Sequence, residues 1–260
     1  MGHAFNNRPI GVIGNDEFGA AIARRIAACH FHTMYAGLEG SPPVPYGDML
    51  EQADQTSLAI RCPVVLAAIE DTDTFKKLLA IGAEVRRTAE PRRSTVLVDL
   101  GSRTSRESQS LFELLEQQDV ALVDAALIGG AGAAMHGHAK ILLGGEPAPV
   151  EIAESVLALL GTVERTGPLG SAHSAAALMG YIETAHTIAH EEALALGAAC
   201  GLAPEALKRV LPDESAARDL NVVQLARRAA MAGRMSRHPS GSAEIINLAA
   251  EKHARNRENR

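Results

Sequence analysis

The chain has 260 residues, a formal net charge of −6 and 47% apolar residues, of which few are aromatic and none is tryptophan. This length allows one large or two medium domains, with a sizeable core built from aliphatic side chains and alanine. The negative charge argues against a nucleic-acid-binding surface, and no stretch has the length and apolarity of a bilayer span.

Three cysteines, Cys29, Cys62 and Cys200, are odd in number, widely spaced and set in apolar surroundings. Such cysteines are typical of a compartment that keeps thiols reduced. Residues 1–8 lack the apolar core of a signal peptide. The sequence therefore predicts a soluble, cytoplasmic globular protein that binds neither nucleic acid nor membrane.

The first predicted element is a nucleotide-binding turn. Residues 10–13 form an apolar run that is typical of a buried parallel strand, and the apolar spacing of a helix follows from Gly19. Between them lies a G-x-G-x-x-G pattern with one departure. The pattern comprises Gly14, Asn15, Asp16, Glu17, Phe18 and Gly19, all of which we predict to contact a cofactor.

The departure is Asp16, which stands where the middle glycine leaves room for a pyrophosphate. A carboxylate at this position predicts weak or altered dinucleotide binding, because like charges repel by an amount on the order of a kcal/mol when solvated. The alternative is that Asp16 points to solvent while the helix N-terminus still holds a phosphate.

Short apolar runs alternate with amphipathic stretches as far as about residue 161. Further strands are predicted at residues 33–36, 63–69, 94–100, 120–123 and 141–143. Helices are predicted between them, including one near Phe75 that the polar residues 70–73 can cap. Strands separated by helices form right-handed βαβ units and a mostly parallel sheet.

We therefore predict a doubly wound α/β domain of the Rossmann type over residues 1–168. In such a domain the nucleotide binds at the carboxyl ends of the strands. The residues expected there, besides the glycine turn, are Ala68, Ile69 and Ser102.

The strand pattern stops after Gly170. Residues 171–200 are rich in Ala and Leu, contain no proline and precede Gly201, which predicts one long helix with a glycine C-cap. Shorter helices are predicted at residues 204–211, 213–231 and 242–252. The sequence thus predicts an all-α domain over residues 169–260.

The long helix is apolar around much of its circumference, and a helix of this kind is expected to be buried. Its apolar residues include Ala175, Ala177, Leu178, Ile182, Ile188, Ala189, Leu194 and Leu196. One small Rossmann-type domain would not cover them all. We therefore predict a homodimer through the C-terminal helices.

A glycine-rich segment runs from Asp124 through Ile128-Gly129-Gly130 to Gly145, and it aligns without a gap with D-A-P-V-S-G-G…G-A…G…G-G. Residues 98–102 match a strand end that carries a Ser or Thr. These motifs resemble the β-hydroxyacid dehydrogenase superfamily, the relatives of 6-phosphogluconate and 3-hydroxyisobutyrate dehydrogenases. Residues around Arg234, His238 and Glu244 resemble a subgroup of phosphogluconate-dehydrogenase-like proteins whose helical C-terminal domain has no assigned role.

The resemblance covers nearly the whole chain and implies NAD or NADP as the cofactor, a small-molecule substrate and dimerisation through the helical domain. It also implies that Ser102 lies near the nicotinamide, and that Ser102, Gly129 and Gly130 contact the substrate.

The departures from the family pattern fall where the chemistry should occur. Ala176 stands at the position of the catalytic lysine, and Gly180 stands at the asparagine one turn later. The lysine moves the proton of the substrate hydroxyl while hydride leaves its carbon, which an alanine cannot do. Ile128 replaces a serine beside the two glycines, and Gly37 or Leu38 stands where a residue selects NAD or NADP.

Two other side chains are predicted to supply the proton. His173 lies almost one helical turn before Ala176 and shares its face. Tyr181 lies beyond Ala176, and imine reductases, which are relatives of the family, replace the lysine with aspartate or tyrosine. The alternative for His173 is an ordinary residue at the start of a helix.

The remaining histidines do not predict a metal site. His136 and His138 lie on a glycine-rich turn, and His186 and His190 lie on the long helix. The first pair has no carboxylate or third histidine placed to complete a metal site. The second pair is followed by Glu191, but its i, i+4 spacing is more typical of a solvated or dimer-facing side of the helix.

Three functions remain open. The first is an NAD(P)-dependent oxidoreductase of the β-hydroxyacid dehydrogenase type that acts on a small hydroxy acid, ketone or imine with a proton donor other than lysine. The second is a catalytically degenerate binding or regulatory protein, and the third is an enzyme that reuses the cleft for non-redox chemistry. The resemblance favours the first, whereas Asp16, Ile128 and Ala176 favour the others.

Overall fold

The structure is a computed structural model, and it describes residues 8–14, 16–38, 44, 47–88, 95–115 and 120–210. The helices that we predicted at residues 213–231 and 242–252, and the segment around Arg234, His238 and Glu244, lie outside these residues. Asn15 of the glycine turn lies outside them as well.

The described chain forms one eight-stranded sheet with helices between the strands. The strands are β1 (Ile10–Gly14), β2 (Thr33–Gly37), β3 (Leu50–Gln52), β4 (Val64–Ala68), β5 (Thr95–Asp99), β6 (Val120–Ile128), β7 (Ala139–Gly144) and β8 (Gly161–Gly167). The helices are α1 (Glu17–Ala28), α2 (Gln55–Arg61), α3 (Thr72–Thr88), α4 (Ser105–Leu115), α5 (Gly130–His136), α6 (Pro147–Leu157), α7 (Ser171–Ala199) and α8 (Pro204–Val210).

The strand order is β3-β2-β1-β4-β5-β6-β7-β8, and β1 lies between β2 and β4. The chain therefore reverses its winding direction at β1, and ligands of open α/β sheets bind beside such a switch point. The predicted doubly wound fold is confirmed, and every described strand pairing is parallel except that of β6 with β7.

Burial explains why the central strands read as continuous apolar runs. Every residue of β1, β4 and β5 is buried, because helices cover both faces of a parallel sheet. One core cluster includes Ile22, Val98 and Leu143, and the other includes Met34 and Phe75. Because aromatic residues are scarce, aliphatic side chains and alanine fill most of the core.

Two strands escaped sequence analysis because neither carries the apolar signal of a buried strand. The three-residue β3 contains Glu51 and Gln52, and only its first residue is buried. No residue of the edge strand β8 is fully buried.

The antiparallel pairing of β6 with β7 follows from the short connection between them. Parallel strands need a crossover of a dozen or more residues, and the connection from Ile128 to the start of β7 is shorter than that.

The chain divides into two compact units, residues 1–176 and 177–260. The division falls inside α7, whereas we predicted the domain boundary between residues 168 and 169. The first unit contains the whole sheet. In the second unit Gly201, two residues after the end of α7, has a φ of 82°, as expected of the predicted glycine C-cap.

Among the described helices, none has both the length and the apolarity that crossing a bilayer requires.

Candidate functional site

The turn after β1 brings the strand, helix α1 and the end of β4 into close contact. A Cβ atom at Gly14 would lie 3.1 Å from the Cα atom of Gly19 and 3.2 Å from the carbonyl oxygen of Ala68. A Cβ atom at Gly19 would likewise lie 3.1 Å from Gly14. Both positions need glycine, and the N-terminus of α1 points to the edge where a dinucleotide binds in this fold.

Asp16 is the N-cap of α1. Its Oδ1 accepts a hydrogen bond from the backbone N–H of Gly19 at 3.1 Å, and its side chain is exposed. Its φ of −139° is extended backbone, so no glycine is needed for the chain to turn here. The placement agrees with the alternative in which Asp16 faces solvent, and the carboxylate occupies one of the N–H groups at the helix N-terminus, the part of a helix that attracts anions.

The other described residues of the turn support α1. Glu17 pairs with Arg24 at 2.6 Å, and Phe18 packs against the core. The N–H of Leu38, just after β2, donates to the carbonyl oxygen of Gly14 at 3.1 Å. The end of β2 is therefore fixed to the turn.

The loop after β4 follows Ala68 and Ile69, which are both buried. Asp71 caps α3 as predicted, since its Oδ1 accepts the N–H of Thr74 at 2.8 Å. The carboxylate of Glu70 reaches across to β5, where its Oε2 accepts the N–H of Ser102 at 2.9 Å. The structure thus brings three predicted cofactor residues, Ala68, Ile69 and Ser102, to the same pair of neighbouring loops.

A buried arginine that sequence analysis missed joins these two loops. Arg103 is 5% exposed, and its guanidinium donates to the carbonyl oxygens of Ile69 and Glu70. It also pairs with Asp99, with 3.2 Å between Nε and Oδ2. The available signal was the i, i+4 spacing of Asp99 and Arg103 at a strand end.

Burial dominates the electrostatics of Asp99. The loss of hydration raises the pKa of the Asp99 carboxyl above its usual range, against the opposing influence of Arg103 and His173. The buried carboxylate pairs with the Arg103 guanidinium and accepts the backbone N–H of Gly101, so polar groups of the following loop hold it in place. Asp99 therefore belongs to the framework beneath the loops.

Helix α4 begins with a capping box beside the same loops. Glu107 accepts the N–H of Thr104 at 2.9 Å, and the Thr104 hydroxyl oxygen accepts the N–H of Glu107 at 3.2 Å. The hydroxyl of Thr72 donates to Glu107 as well. The hydrogen bonds from Thr104 hold the pKa of Glu107 below its usual range.

Asp124 caps the long helix from within the sheet. Its buried carboxylate accepts the backbone N–H groups of Gly170, Ala172 and His173 at 2.7, 2.8 and 3.0 Å. A Cβ atom at Gly144 would lie only 2.5 Å from its Oδ1. The first residue of the glycine-rich motif therefore orients the start of α7.

His173, which we predicted to be catalytic, is buried at the start of α7 and only 4% exposed. Its Nε2 lies 3.3 Å from the carbonyl oxygen of Asp99, and its Nδ1 lies 3.4 Å from the hydroxyl oxygen of Ser108. Since a carbonyl only accepts, this arrangement fits the tautomer with the proton on Nε2. A role in proton transfer would require one of these contacts to break.

Ala176, which we predicted to stand at the position of the family's catalytic lysine, has no titratable group. Ala176 is the last residue of the first unit and is partly buried. Gly180 and Tyr181 belong to the second unit, where a Cβ atom at Gly180 would meet nothing within 4 Å. Tyr181 is partly buried, and burial raises the pKa of its hydroxyl above the usual range.

The predicted substrate glycines are exposed at the start of α5. Gly129 has a φ of 106° and Gly130 a φ of 68°, so a side chain at either position would be strained. Ile128 is partly buried beside them at the end of β6. Within the described residues, no three His, Cys, Asp or Glu side chains form a group that could hold a metal ion.

Comparisons with known proteins agree with this geometry. Residues 9–170 match the family profile described as the NAD binding domain of 6-phosphogluconate dehydrogenase. L-threonate dehydrogenase from Cupriavidus necator is 27% identical over 212 residues, which cover 79% of this chain and 70% of that protein. Mitochondrial 3-hydroxyisobutyrate dehydrogenase from Homo sapiens is 24% identical over 219 residues, which cover 78% of this chain and 61% of that protein.

Solved structures show the same fold. The 3-hydroxyisobutyrate dehydrogenase of Mycobacterium tuberculosis, solved with L-serine, has a TM-score of 0.69 at 16% identity and covers 95% of both chains. The imine reductase of Myxococcus stipitatus, solved with NADP+, has a TM-score of 0.67 at 18% identity and covers 88% of this chain and 76% of that one.

The expected cofactor, NAD or NADP, is confirmed by the match to an NAD binding domain, and the named relatives agree with an NAD(P)-dependent oxidoreductase. The glycine turn, the strand order and the matched region together show that this chain belongs to the 6-phosphogluconate dehydrogenase-like family, within the β-hydroxyacid dehydrogenase superfamily.

Proposed function

We propose that this protein transfers hydride between NAD(P)H and a small hydroxy acid, ketone or imine, with a proton donor other than lysine. The observation that carries the proposal is the close approach of Gly14, Gly19 and Ala68 at the switch point of the sheet. Gly14 and Gly19 hold the first and third glycine positions of the dinucleotide-binding turn, which make the tight turn and the close packing of helix on strand. The residues present therefore fit a dinucleotide.

The first unit supplies the residues that would hold the cofactor. The N–H groups at the start of α1 would face the pyrophosphate, and the ends of β4 and β5 would line the nicotinamide side, with Ala68, Ile69 and Ser102 in contact. When bound, the nicotinamide group accepts or donates the hydride. Ser102 is an exposed residue whose N–H is held by Glu70, and we propose that its hydroxyl lies nearest this chemistry.

Tyr181 is the proton donor that we favour. A tyrosine hydroxyl is protonated at neutral pH and can donate its proton to a developing alkoxide or amide. Burial raises the pKa of the Tyr181 hydroxyl, which keeps the side chain protonated but makes it a weaker acid. His173 is the second choice, since both of its ring nitrogens already lie near protein groups. Its placement favours a role in positioning the start of α7.

We further propose that Gly129, Gly130 and Ser102 contact the substrate. Ile128 gives the glycine pair an apolar neighbour in place of a serine, and an apolar group does not help to hold a carboxylate. Among the three substrate classes, this favours a ketone or imine without a carboxylate beside the reacting carbon.

Titration of the purified protein with NADPH and with NADH tests the proposal, with cofactor fluorescence as the readout. We expect saturable binding of at least one cofactor, followed by oxidation of that cofactor with a ketone or imine from a small panel. An absence of binding by both cofactors at millimolar concentration would contradict the proposal.

A second function, a binding or regulatory protein without redox turnover, is favoured by a specific pair of observations. The Asp16 carboxylate engages the Gly19 N–H, and Ala176 offers no proton at the lysine position. Tight binding of NADPH without turnover of any substrate in the panel would favour this second function. The third candidate, non-redox chemistry, would show turnover that is independent of added cofactor.

A further inference from the structure

Arg103 is buried to an extent that is unusual for its residue type. Arginine is almost never fully buried unless it is paired, and here the side chain is entirely inaccessible. Burial of a guanidinium carries a large desolvation penalty, which only good hydrogen-bond geometry offsets. We therefore expect a specific role for a guanidinium buried beneath the edge of the sheet at which the cofactor is expected to bind.

All three guanidinium nitrogens of Arg103 have partners. Nε pairs with Asp99, Nη2 reaches both Asp99 and the carbonyl oxygen of Ile69, and Nη1 reaches the carbonyl oxygen of Glu70 and the Thr72 hydroxyl. The guanidinium also lies 5.0 Å from the centre of the Phe75 ring. One rigid, planar group thus joins the end of β5 to the loop after β4.

The conformation of the loop after β5 depends on the same guanidinium of Arg103. The N–H of Gly101 donates to the Asp99 carboxylate at 3.1 Å, and a Cβ atom at Gly101 would collide with the Arg103 guanidinium and the Ile69 carbonyl oxygen. The N–H of Ser102 is in turn held by Glu70. Removing the guanidinium would free both loops at once.

We propose that Arg103 is a positioning residue for the nicotinamide cofactor, because it holds the loops after β4 and β5 in the geometry that binds it. The inference rests on the proposed function in one respect, the identity of the ligand. Arg103 itself touches no reacting atom and acts through the backbone of Ile69 and Glu70. A lysine would keep the charge but lose the planar fork that reaches two carbonyl oxygens.

The test uses three variants of the full chain. Arg103→Lys removes the fork, and Arg103→Met removes the charge but leaves the buried Asp99 carboxylate unpaired. The double variant Asp99→Asn with Arg103→Met avoids that unpaired charge and keeps the proposal testable if the single variant fails to fold. Arg106→Met is the matched control, since Arg106 is exposed on the same helix.

Two readouts are measured on folded protein: the NADPH dissociation constant by fluorescence titration, and the hydrogen exchange of backbone amides at residues 69–73 and 100–104 without ligand. We expect roughly tenfold weaker NADPH binding in the Arg103 variants, because loops that are no longer held in place must be ordered when the cofactor binds, and this ordering lowers the affinity. We expect faster amide exchange in both loops, and no change in either readout for Arg106→Met.

Different results would overturn the two proposals. If folded Arg103 variants melt at a lower temperature but bind NADPH as the wild type does, Arg103 has a structural role only. Unchanged amide exchange in both loops would overturn the positioning role as well. If the wild type binds neither NADH nor NADPH, the proposed function fails together with the assignment of the ligand, whatever the exchange data show.

Discussion

At the scale of single residues, the Asp16 carboxylate stabilises helix α1 but is expected to disfavour the binding of an anionic cofactor. Its carboxylate caps α1 through the Gly19 N–H, which favours the fold. The same negative charge lies at the N-terminus of α1, where we propose that the pyrophosphate binds. On that proposal, the fold and the binding of NAD(P)H place opposite demands on this position.

We expect Asp16→Asn to tighten NADPH binding by about tenfold or less, because it removes a like charge worth on the order of a kcal/mol while the amide oxygen still caps α1. Asp16→Gly should tighten binding similarly at a cost of a few tenths of a kcal/mol in the free energy of unfolding. Fluorescence titration and thermal unfolding measure the two effects. Unchanged affinity in both variants would show that Asp16 stays clear of the cofactor.

Tyr181 and His173 can be separated by their kinetics. We expect Tyr181→Phe to lower kcat by roughly 10²- to 10⁴-fold, the usual contribution of a general acid, with little change in the NADPH dissociation constant. His173→Asn should instead lower the melting temperature, because it disturbs buried contacts to Asp99 and Ser108. Steady-state kinetics and thermal unfolding measure the two effects. A larger decrease in kcat for His173→Asn than for Tyr181→Phe would show that His173, and not Tyr181, is the proton donor.

At the scale of elements, the start of α4 carries a measurable pH dependence. The hydrogen bonds from Thr104 lower the pKa of Glu107 in the folded protein relative to the unfolded chain. The carboxylate therefore stabilises the fold above its unfolded pKa of about 4.3. This contribution disappears as the pH falls through the lower pKa of the folded state.

We expect Glu107→Gln to reduce the loss of unfolding free energy between neutral and acidic pH. The glutamine keeps part of the capping box, so the variant should lose no more than about 1 kcal/mol at pH 7. Urea titrations of both proteins from pH 7 to pH 3 measure the difference. Glu113→Gln, at an exposed position of the same helix, is the control; parallel pH profiles for wild type and Glu107→Gln would contradict the prediction.

Among the elements, the sheet edge and the long helix differ in how visible they are in the sequence. Helix α7 is rich in Ala and Leu, contains no proline and is followed by Gly201 with its positive φ, so its bounds follow from local chemistry. The edge strand β8 is held by pairing with β7 and by ion pairs such as Lys140–Glu164 at 3.0 Å. Its polar sequence gives no strand signal because its partners, not its own residues, make it a strand.

At the scale of the whole molecule, we still predict the homodimer through the C-terminal helices. Leu178 and Ile188 on α7 are 48% and 39% exposed in the second unit. Large apolar side chains along one helix are a common feature of surfaces that pair with a second copy.

We expect light scattering to give a dimer for the wild type at micromolar concentration. Leu178→Lys with Ile188→Lys should shift the protein to a monomer, because each charge would be buried in the pairing surface. Leu202→Lys is the control, since Leu202 is 52% exposed but follows α7. A monomeric wild type, or a dimer that survives the double substitution, would contradict the prediction.

The sequence alone determined the doubly wound fold, the glycine turn and the long helix. Each of these depends on residues close together in the chain: buried parallel strands show as apolar runs, and Gly14 and Gly19 are only five positions apart. Local periodicity and turn chemistry therefore carry the information. The helix pattern around Ala176 is also local, so the sequence alone placed this residue on the long helix α7.

Only the tertiary structure decided how the site is held. Asp124 caps a helix 46 residues later, the His173 ring reaches a carbonyl oxygen 74 residues away, and Arg103 joins a loop 34 residues before it. In the sequence these are an isolated acid, a histidine at a helix start and an arginine after a strand. Their roles come from the sheet, which brings distant strand ends to one edge and removes the water that would otherwise satisfy them.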